Sequence, residues 1–432
     1  MVISGGPRRY KRYPAYKESG VEWLGKIPEG WTTKALKRLC RLQAGQTITA
    51  DSIEVAGEYP VFGGNGIRGF TDSYTHAGEF PIVGRQGAQC GCVILASGTF
   101  WASEHAVVAE PIGEVDARWL FYLLDTMSLN SYSQSAAQPG IAVEEIEALT
   151  VHAVPIEEQR AVATFLNRQT AKIDNLIMKK QRLIGLLEEK RSALITRAVT
   201  KGLDPNVAMK HSGVDWLGQI PRHWSIRRFK NLLRRAIQNG VFKKKELFGS
   251  GTLLINVFDV YRDDFFVNYD NLERVEVDEA EQRLYSVEPG DIVFVRSSLK
   301  LAGVGRAACA IVTREPVVFE CHLVRAQPNN AYVRPKYLIY YLNSSPARQR
   351  LVSLANTVTM STIPQMAITT LAVTAPPLQE QDAIVSYLGE QLDRIDNLVS
   401  QIQNAIERLK ELRTALISAA VTGKIDVRGE VA

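Results

Sequence analysis

The chain is poor in cysteine. Its five thiols in 432 residues, Cys40, Cys90, Cys92, Cys309 and Cys321, form no CxxC pair and no Cys/His set at zinc spacing. That excludes a disulfide-built scaffold and fits a reducing compartment. The "CGC" at 90–92 reads as two small, part-buried residues, with a metal role as the remote alternative. Long apolar runs are also missing. No stretch reaches the roughly eighteen residues that a membrane helix needs, and "MVISGGPRRYKRYP" at the N-terminus has no apolar signal core. The expected location is the cytoplasm. The six histidines (His76, His105, His152, His211, His223 and His322) never fall three or four residues apart, as paired ligands on a helix would.

Catalytic signatures are absent too. No GxxxxGK[ST] loop is present, so ATP-driven motion is not expected of this chain. "GGNGIRG" at 63–69 is glycine-rich, but no strong helix pattern follows it, as a nucleotide-binding turn requires. "APPLQ" at 375–379 lacks both residues that flank the Pro-Pro pair of an adenine-methylating loop. Carboxylates abound without forming a recognisable nuclease set. What remains is an ordinary globular balance, 46% hydrophobic and 22% charged, at a length that calls for two or more domains.

Net charge is +5, too mild to name a partner, but its distribution is uneven. From Arg222 to Lys245 there are nine basic residues and no acid. This is either a solvated face or a surface that tracks phosphates, which needs several cations held together to displace counterions. "RRYKR" at 8–12 is a smaller cluster of the same kind.

The chain repeats itself. "SGVEWLGKIPEGW" (19–31) returns as "SGVDWLGQIPRHW" (212–224), an offset of 193. "PIEEQRAVATFLNRQTAKIDNL" (155–176) returns as "PLQEQDAIVSYLGEQLDRIDNL" (377–398), identical at ten of twenty-two positions, at an offset of 222. The intervening text, 32–154 and 225–376, is different but keeps echoes in the same order. "FPIVGRQG" (80–87) parallels "DIVFVRSS" (291–298), "HAVVAEP" (105–111) parallels "HLVRAQP" (322–328), and "RWLFYLL" (118–124) parallels "KYLIYYL" (336–342). One mixed α/β fold used twice is the economical reading.

Helix formers run unbroken after Pro155 and Pro377, and proline suits a helix start. Seven-residue spacing places Ile173, Lys180, Leu187 and Leu194 on a seam with Leu176 and Leu183 as companions. The second copy gives Ile395, Ile402, Leu409 and Leu416, with Leu398 and Leu412; Ile177, Ile184, Val399 and Ile406 widen the stripe. Two such helices, each following a globular head, predict an antiparallel pair with the heads at opposite ends, a pseudo-twofold dumbbell. A target that repeats along an axis, double-stranded DNA, suits that shape.

This order of variable region, "EQ" helix, variable region and "PPLQEQ" helix resembles the specificity subunit of type I restriction–modification systems over essentially the whole chain. "YPVFGGNGIRGF" (59–70), "GDIVFVRSS" (290–298) and "AQPGI" (137–141) are similar to that family's motifs. The resemblance implies an α+β fold with target-recognition domains at 1–154 and 207–376, a central spacer helix at 155–206 and a C-terminal spacer helix at 377–432. It implies a non-catalytic chain that reads a bipartite, asymmetric duplex site. It also implies two adenine-N6 methyltransferase subunits and two restriction/translocase subunits as partners. S-adenosylmethionine, ATP and magnesium would sit on those partners, with no cofactor on this chain. One departure is the charge of the heads: 7 basic against 13 acidic residues in 32–154, but 20 against 14 in 225–376. A self-contained methyltransferase or nuclease with unrecognised motifs, and a coiled-coil protein scaffold, are the rival classes.

Base reading needs side chains that offer two-point hydrogen bonds in a groove, Arg to guanine and Asn or Gln to adenine. In the first head Asn65, Arg68, Arg85, Gln86 and Gln138 fit, and in the second Arg296, Ser297, Ser298, Lys300, Arg306 and Thr359. Lys243, Lys244 and Lys245 fit phosphate contacts, which position without specifying. Arg85 and Arg296 stand out because both end the echoed strand. The alternative for each is a turn residue or surface charge. Trp23, Trp31, Trp216 and Trp224 are expected to pack the heads on the helices. Lys172, Arg182, Arg394 and Arg408, off the seam, are expected to face partners or solvent.

Overall fold

Each copy of the opening word folds into a β-hairpin in the computed structural model, which describes residues 10–87, 90–133, 140–311, 315–357 and 359–430. Tyr16–Glu18 pairs antiparallel with Lys26–Pro28, and Met209–His211 with Gln219–Pro221, in matching register. The glycines explain the wording. Gly20 and Gly25 have φ of 72° and 60°, and Gly213 and Gly218 of 77° and 65°, a region that penalises any residue with a Cβ. Trp31 and Trp224 that follow are buried. Trp23 is 38% exposed and Trp216 partly so, because both lie in the turn between the strands. Trp31 and Trp224 lie within the cores and Trp216 packs against the edge of its own, as expected, whereas Trp23 is not part of the first unit's core.

By its internal contacts the chain divides into two units, Met1–Lys180 with Gln403–Ala432, and Gln181–Ile402. The division falls inside both long helices, the central one at Ile156–Lys201 and the C-terminal one at Leu378–Val421. At 46 residues the central helix is about 69 Å long.

In the first unit, strand Thr32–Ala35 pairs with Thr150–Ala153, bringing the two ends of the variable text together. Between them lies a six-stranded sheet in the order Cys40–Ala44, Ala106–Pro111, His76–Gly84, Val93–Ala102, Tyr59–Gly63, Gly66–Thr71. Helix Ala117–Thr126 buries Trp119, Leu120, Leu123 and Leu124. Its start is fixed by Asp116, whose carboxylate accepts the Arg118 and Trp119 N–H groups at 3.0 and 2.9 Å. The same core takes in Val162, Phe165 and Leu166 of the central helix and Leu416, Ile417, Ala420 and Val421 of the C-terminal one. Arg413 bridges Asp174 and Arg428 lies 3.9 Å from Glu158. Rising numbers on one segment meet falling numbers on the other, so the two run antiparallel within the unit.

The second unit repeats this plan. Ser225–Arg228 pairs with Ala372–Ala375. A four-stranded sheet runs Gln238–Asn239, Leu323–Ala326, Ile292–Val295, Ala307–Cys309, beside a three-stranded one, Glu273–Val275, Phe248–Ile255, Val317–Phe319. Helix Pro335–Leu342 takes the place of Ala117–Thr126. Most of the extra length lies in two connections that are short in the first unit. They hold helices Val257–Val260 and Glu279–Tyr285.

Three joints recur in both units. Each long helix ends on a glycine at positive φ, Gly202 (77°) and Gly423 (73°). A Cβ on Gly423 would meet Pro28 at 2.5 Å and Trp31 at 2.9 Å, and one on Gly202 would meet Trp224 at 3.3 Å. Next, the glutamine of each "EQ" is buried. Gln159 donates to the Val154 carbonyl (2.7 Å) and accepts from Asp116 N–H (2.9 Å); Gln381 donates to the Pro376 carbonyl (2.9 Å) and accepts from Arg334 N–H (2.8 Å). One side chain thus ties the start of a long helix to the start of the head's own helix. Last, the third residue of the strand before each long helix faces a helix-end carbonyl. Thr374 donates to Val199 O at 2.7 Å. Its counterpart His152 is fully buried against Trp31 and Trp119, and the Val421 carbonyl approaches it without the geometry of a full hydrogen bond.

The seam differs from its seven-residue reading. Ile173, Ile395, Ile402 and Leu416 are buried, but the companions Leu176, Leu183, Leu398 and Leu412 are each about half exposed. Ile177 and Ile184 are partly buried and Ile406 is buried. The inward stripe lies one residue beyond the assumed companion position, on the broader face that a helix uses when it packs on a globular core as well as on another helix.

Candidate nucleic-acid interface

The echoed strands place Arg85 and Arg296 in the same backbone setting. Arg85 N–H donates to the His105 carbonyl at 3.0 Å, and its own carbonyl accepts from Ile141 N–H at 3.1 Å. Arg296 N–H donates to the His322 carbonyl at 2.8 Å, and its carbonyl accepts from Ile363 N–H at 2.9 Å. The following residue is bridged in both, Gln86 to Gly140 and Ser297 to Thr362. His105 and His322 therefore serve these sites through their carbonyls, in keeping with a structural role. Neither arginine side chain has an ion-pair partner among the described residues; Arg85 is exposed and Arg296 partly so.

In the first head the tight turn at Gly64–Asn65 closes on the same spot. A Cβ on Gly64 would lie 3.0 Å from the His105 carbonyl and 3.7 Å from the Arg85 nitrogen. Asn65, Arg68, Arg85 and Gln86 are all exposed, and Asn65, Arg85 and Gln86 are gathered beside one turn. Arg68 lies along the hairpin, its stem packed over Gly63. Gln138 lies outside the described residues, as do most of "AQPGI" and the first two arginines of "RRYKR".

In the second head the corresponding turn is replaced by helix Val257–Val260, and a cavity of about 580 Å³ opens. Phe258, Tyr261, Ser298, Leu299, Lys300, His322 and Met360 are among its lining. Four candidates, Ser297, Ser298, Lys300 and Arg306, belong to it. Their states differ. The Ser297 hydroxyl lies 3.1 Å from that of Thr362, and Ser298 accepts from Tyr261 and from Lys300 N–H. Both serines are 6% exposed, so their hydroxyls are already engaged. Arg306 pairs with Asp263 at 3.4 Å. Lys300 and Thr359 are exposed. Lys243 is held by Glu281 at 2.7 Å, which draws that carboxyl below its usual range; Lys244 and Lys245 are exposed and without an ion pair among the described residues.

Phe258, Tyr261 and Leu299 were not among the sequence candidates. Their signal was weak: apolar residues in polar loop text read as core until exposure is known. Among the described residues one group of three potential metal ligands converges, Glu320, Cys321 and His322. Glu320 already accepts Val257 N–H at 3.0 Å, and burial raises both its carboxyl and the Cys321 thiol. A metal needs both deprotonated, so the set is poorly matched to one. Cys90 is buried and Cys92 donates to the Gly64 carbonyl at 3.0 Å, as small structural residues do.

Two heads built to one plan, each offering an arginine from the same cradle within different surroundings, define a duplicated recognition protein. Residues 28–184 and 221–408 match the type I restriction modification DNA specificity domain, and the chain belongs to that family. It is 38% identical over 164 residues to the type I restriction enzyme EcoprrI specificity subunit of Escherichia coli, covering 37% of this chain and 41% of that one. The match thus spans less than half of that relative's length. The MjaVIII specificity subunit of Methanocaldococcus jannaschii is 22% identical over 430 residues, 96% of this chain and 97% of that one. A chain in a solved structure concerning complex assembly and conformational transition of the type I R-M system shares the fold, with TM-score 0.66 at 16% identity, covering 91% of this chain and 98% of that chain. Among the described residues no helix is long and apolar enough to cross a membrane.

Proposed function

We propose that this chain is the sequence-reading subunit of a type I restriction–modification enzyme and does no chemistry itself. One observation carries the reading: Arg85 and Arg296 share a backbone cradle while their neighbours differ, as two readers of different half-sites require. Each head reads one half of an asymmetric duplex site, and the helices set the unread spacer. Exposed Arg85, Asn65 and Gln86 and partly exposed Arg296 suit base edges, and Lys244 and Lys245 suit phosphates. The first head, acidic in 32–154, draws its backbone attraction from local cations or from partners.

Exposed Leu176 and Leu412 with Lys172 and Arg408 in the first unit, and exposed Leu183 and Leu398 with Arg182 and Arg394 in the second, give the helix segments of each unit surface that partner subunits can cover. Two adenine-N6 methyltransferase and two restriction/translocase subunits are the proposed partners. S-adenosylmethionine, ATP and magnesium belong to them, and the setting is cytoplasmic. The test is to express the chain with its methyltransferase and map methylated adenines across the genome. A gapped two-part motif is expected. A continuous or palindromic motif, or methylation by this purified chain alone with S-adenosylmethionine, overturns the reading.

A further inference from the structure

The cavity of the second head has an apolar lip that its structural role does not use. Leu299 is 85% exposed and Phe258 83%, and they line the same cavity with Met360. A lone exposed leucine needs no explanation. Three large apolar side chains around one opening do, above all where exposed Lys300 adjoins Leu299 and partly exposed Arg306 lines the same cavity.

The loop that carries Leu299 is held firmly. Ser298 Oγ accepts from the Tyr261 hydroxyl at 2.9 Å and from Lys300 N–H at 3.1 Å, which turns the intervening residue outward. Arg348 clamps the far side, donating to the Val304 carbonyl at 2.8 Å and the Ala302 carbonyl at 2.7 Å. Burial pushes the Arg348 guanidinium down to about 10, still charged at neutral pH. The leucine is thus presented on a pre-ordered loop, which spares binding the cost of ordering it. The occupant must suit the Lys300 cation and, beside it, the aliphatic contact of Leu299 at the lip. Duplex DNA offers both in one place: phosphates on either side of the major groove, and within it the C5-methyl of thymine, the one aliphatic group on a base edge.

We propose, on the basis of the specificity reading above, that Leu299, backed by Phe258, reads a thymine methyl group in the half-site of the second head. Burying one methyl is worth about a three- to fivefold change in affinity. The probe is the duplex target found by methylation mapping, with each thymine replaced in turn by deoxyuridine, which keeps the hydrogen-bonding edge and lacks the methyl. The wild-type chain with its methyltransferase should bind one such duplex about three- to fivefold more weakly, at a position in one half-site only. Leu299→Ala and the size-preserving Leu299→Gln should erase that difference. Lys300→Ala should weaken thymine and deoxyuridine duplexes alike. If no thymine is sensitive, or if both Leu299 variants keep the wild-type ratio, the inference is overturned and the specificity reading stands. If the wild-type complex shows no preference for its target over other duplexes, the specificity reading itself is lost, and this inference with it.

Discussion

Arg85 and Arg296 are oriented by main-chain bonds on both sides, so replacing either side chain leaves its strand intact. Arg85→Ala and Arg296→Ala should each relax one half-site, at about 1–3 kcal/mol of discrimination at the affected position. Competition binding with single-base variants of the target checks this. Loss of discrimination in both halves from one substitution would show that the heads do not read separately. Lys244→Ala and Lys245→Ala should act differently. Each should weaken binding across all sequences and lower the salt dependence by about one unit, as loss of a phosphate contact does.

His152 makes a pH prediction at the same scale. Burial lowers its pKa to about 3, against about 6.5 in an unfolded chain. Below pH 6.5 the unfolded state therefore holds a proton that the folded state refuses. This contribution to stability is complete above about pH 6.5 and lost as pH falls toward 3, at up to about 1.4 kcal/mol per unit. The first unit should lose more stability between pH 7 and pH 5 in the wild type than in His152→Thr, which installs the residue found at the same joint of the second unit. Urea unfolding at the two pH values, followed by the fluorescence of the buried tryptophans, checks the difference.

At the scale of elements, the repeated words turn out to be joints. The glutamines of the two "EQ" starts each fasten two helix beginnings, and their removal strands buried donors and acceptors. Gln159→Leu and Gln381→Leu should each cost about 1–3 kcal/mol, the first in the first unit and the second in the second. Hydrogen exchange resolved by segment distinguishes them. Such joints were legible because identical geometry demands identical residues: the glycines at positive φ, the glutamine, the buried Trp31 and Trp224. A third duplicated word, "AVTKG" (198–202) against "AVTGK" (420–424), is too short to stand out in the sequence, and its meaning lies in the fold, where its glycines sit against Trp224 and Trp31. The echoed strands were legible for the same reason. Exposure was not. Leu176, Leu299 and Trp23 are spelled like core residues, and only the folded surroundings show how much of each stays exposed. The occupied hydroxyls of Ser297 and Ser298 were equally hidden, since their partners Thr362 and Tyr261 lie far away in sequence.

At the scale of the molecule, both variable stretches are bounded by a strand pair, Thr32–Ala35 with Thr150–Ala153 and Ser225–Arg228 with Ala372–Ala375. Each begins and ends at one place on its unit. Text between such anchors is exchangeable as a block, because nothing outside depends on its length. Replacing 225–376 by the corresponding stretch of another family member should change one half of the methylated motif and leave the other half unchanged. Adenine mapping reads the result directly, and a change in both halves would refute one head per half-site.

The interleaving of the first unit has a consequence during translation. Residues 181–402 are contiguous, so the second head can close as soon as they have left the ribosome. The first head, although synthesised earlier, waits for residues 403–421 to deliver Leu416, Ala420 and Val421 and for Gly423 to seat beneath Trp31. The order of synthesis and the order of completion are therefore reversed. A nascent chain halted at Ile402 would carry a finished second head and a first head with its tryptophan face open, the kind of exposed apolar surface that chaperones and proteases recognise.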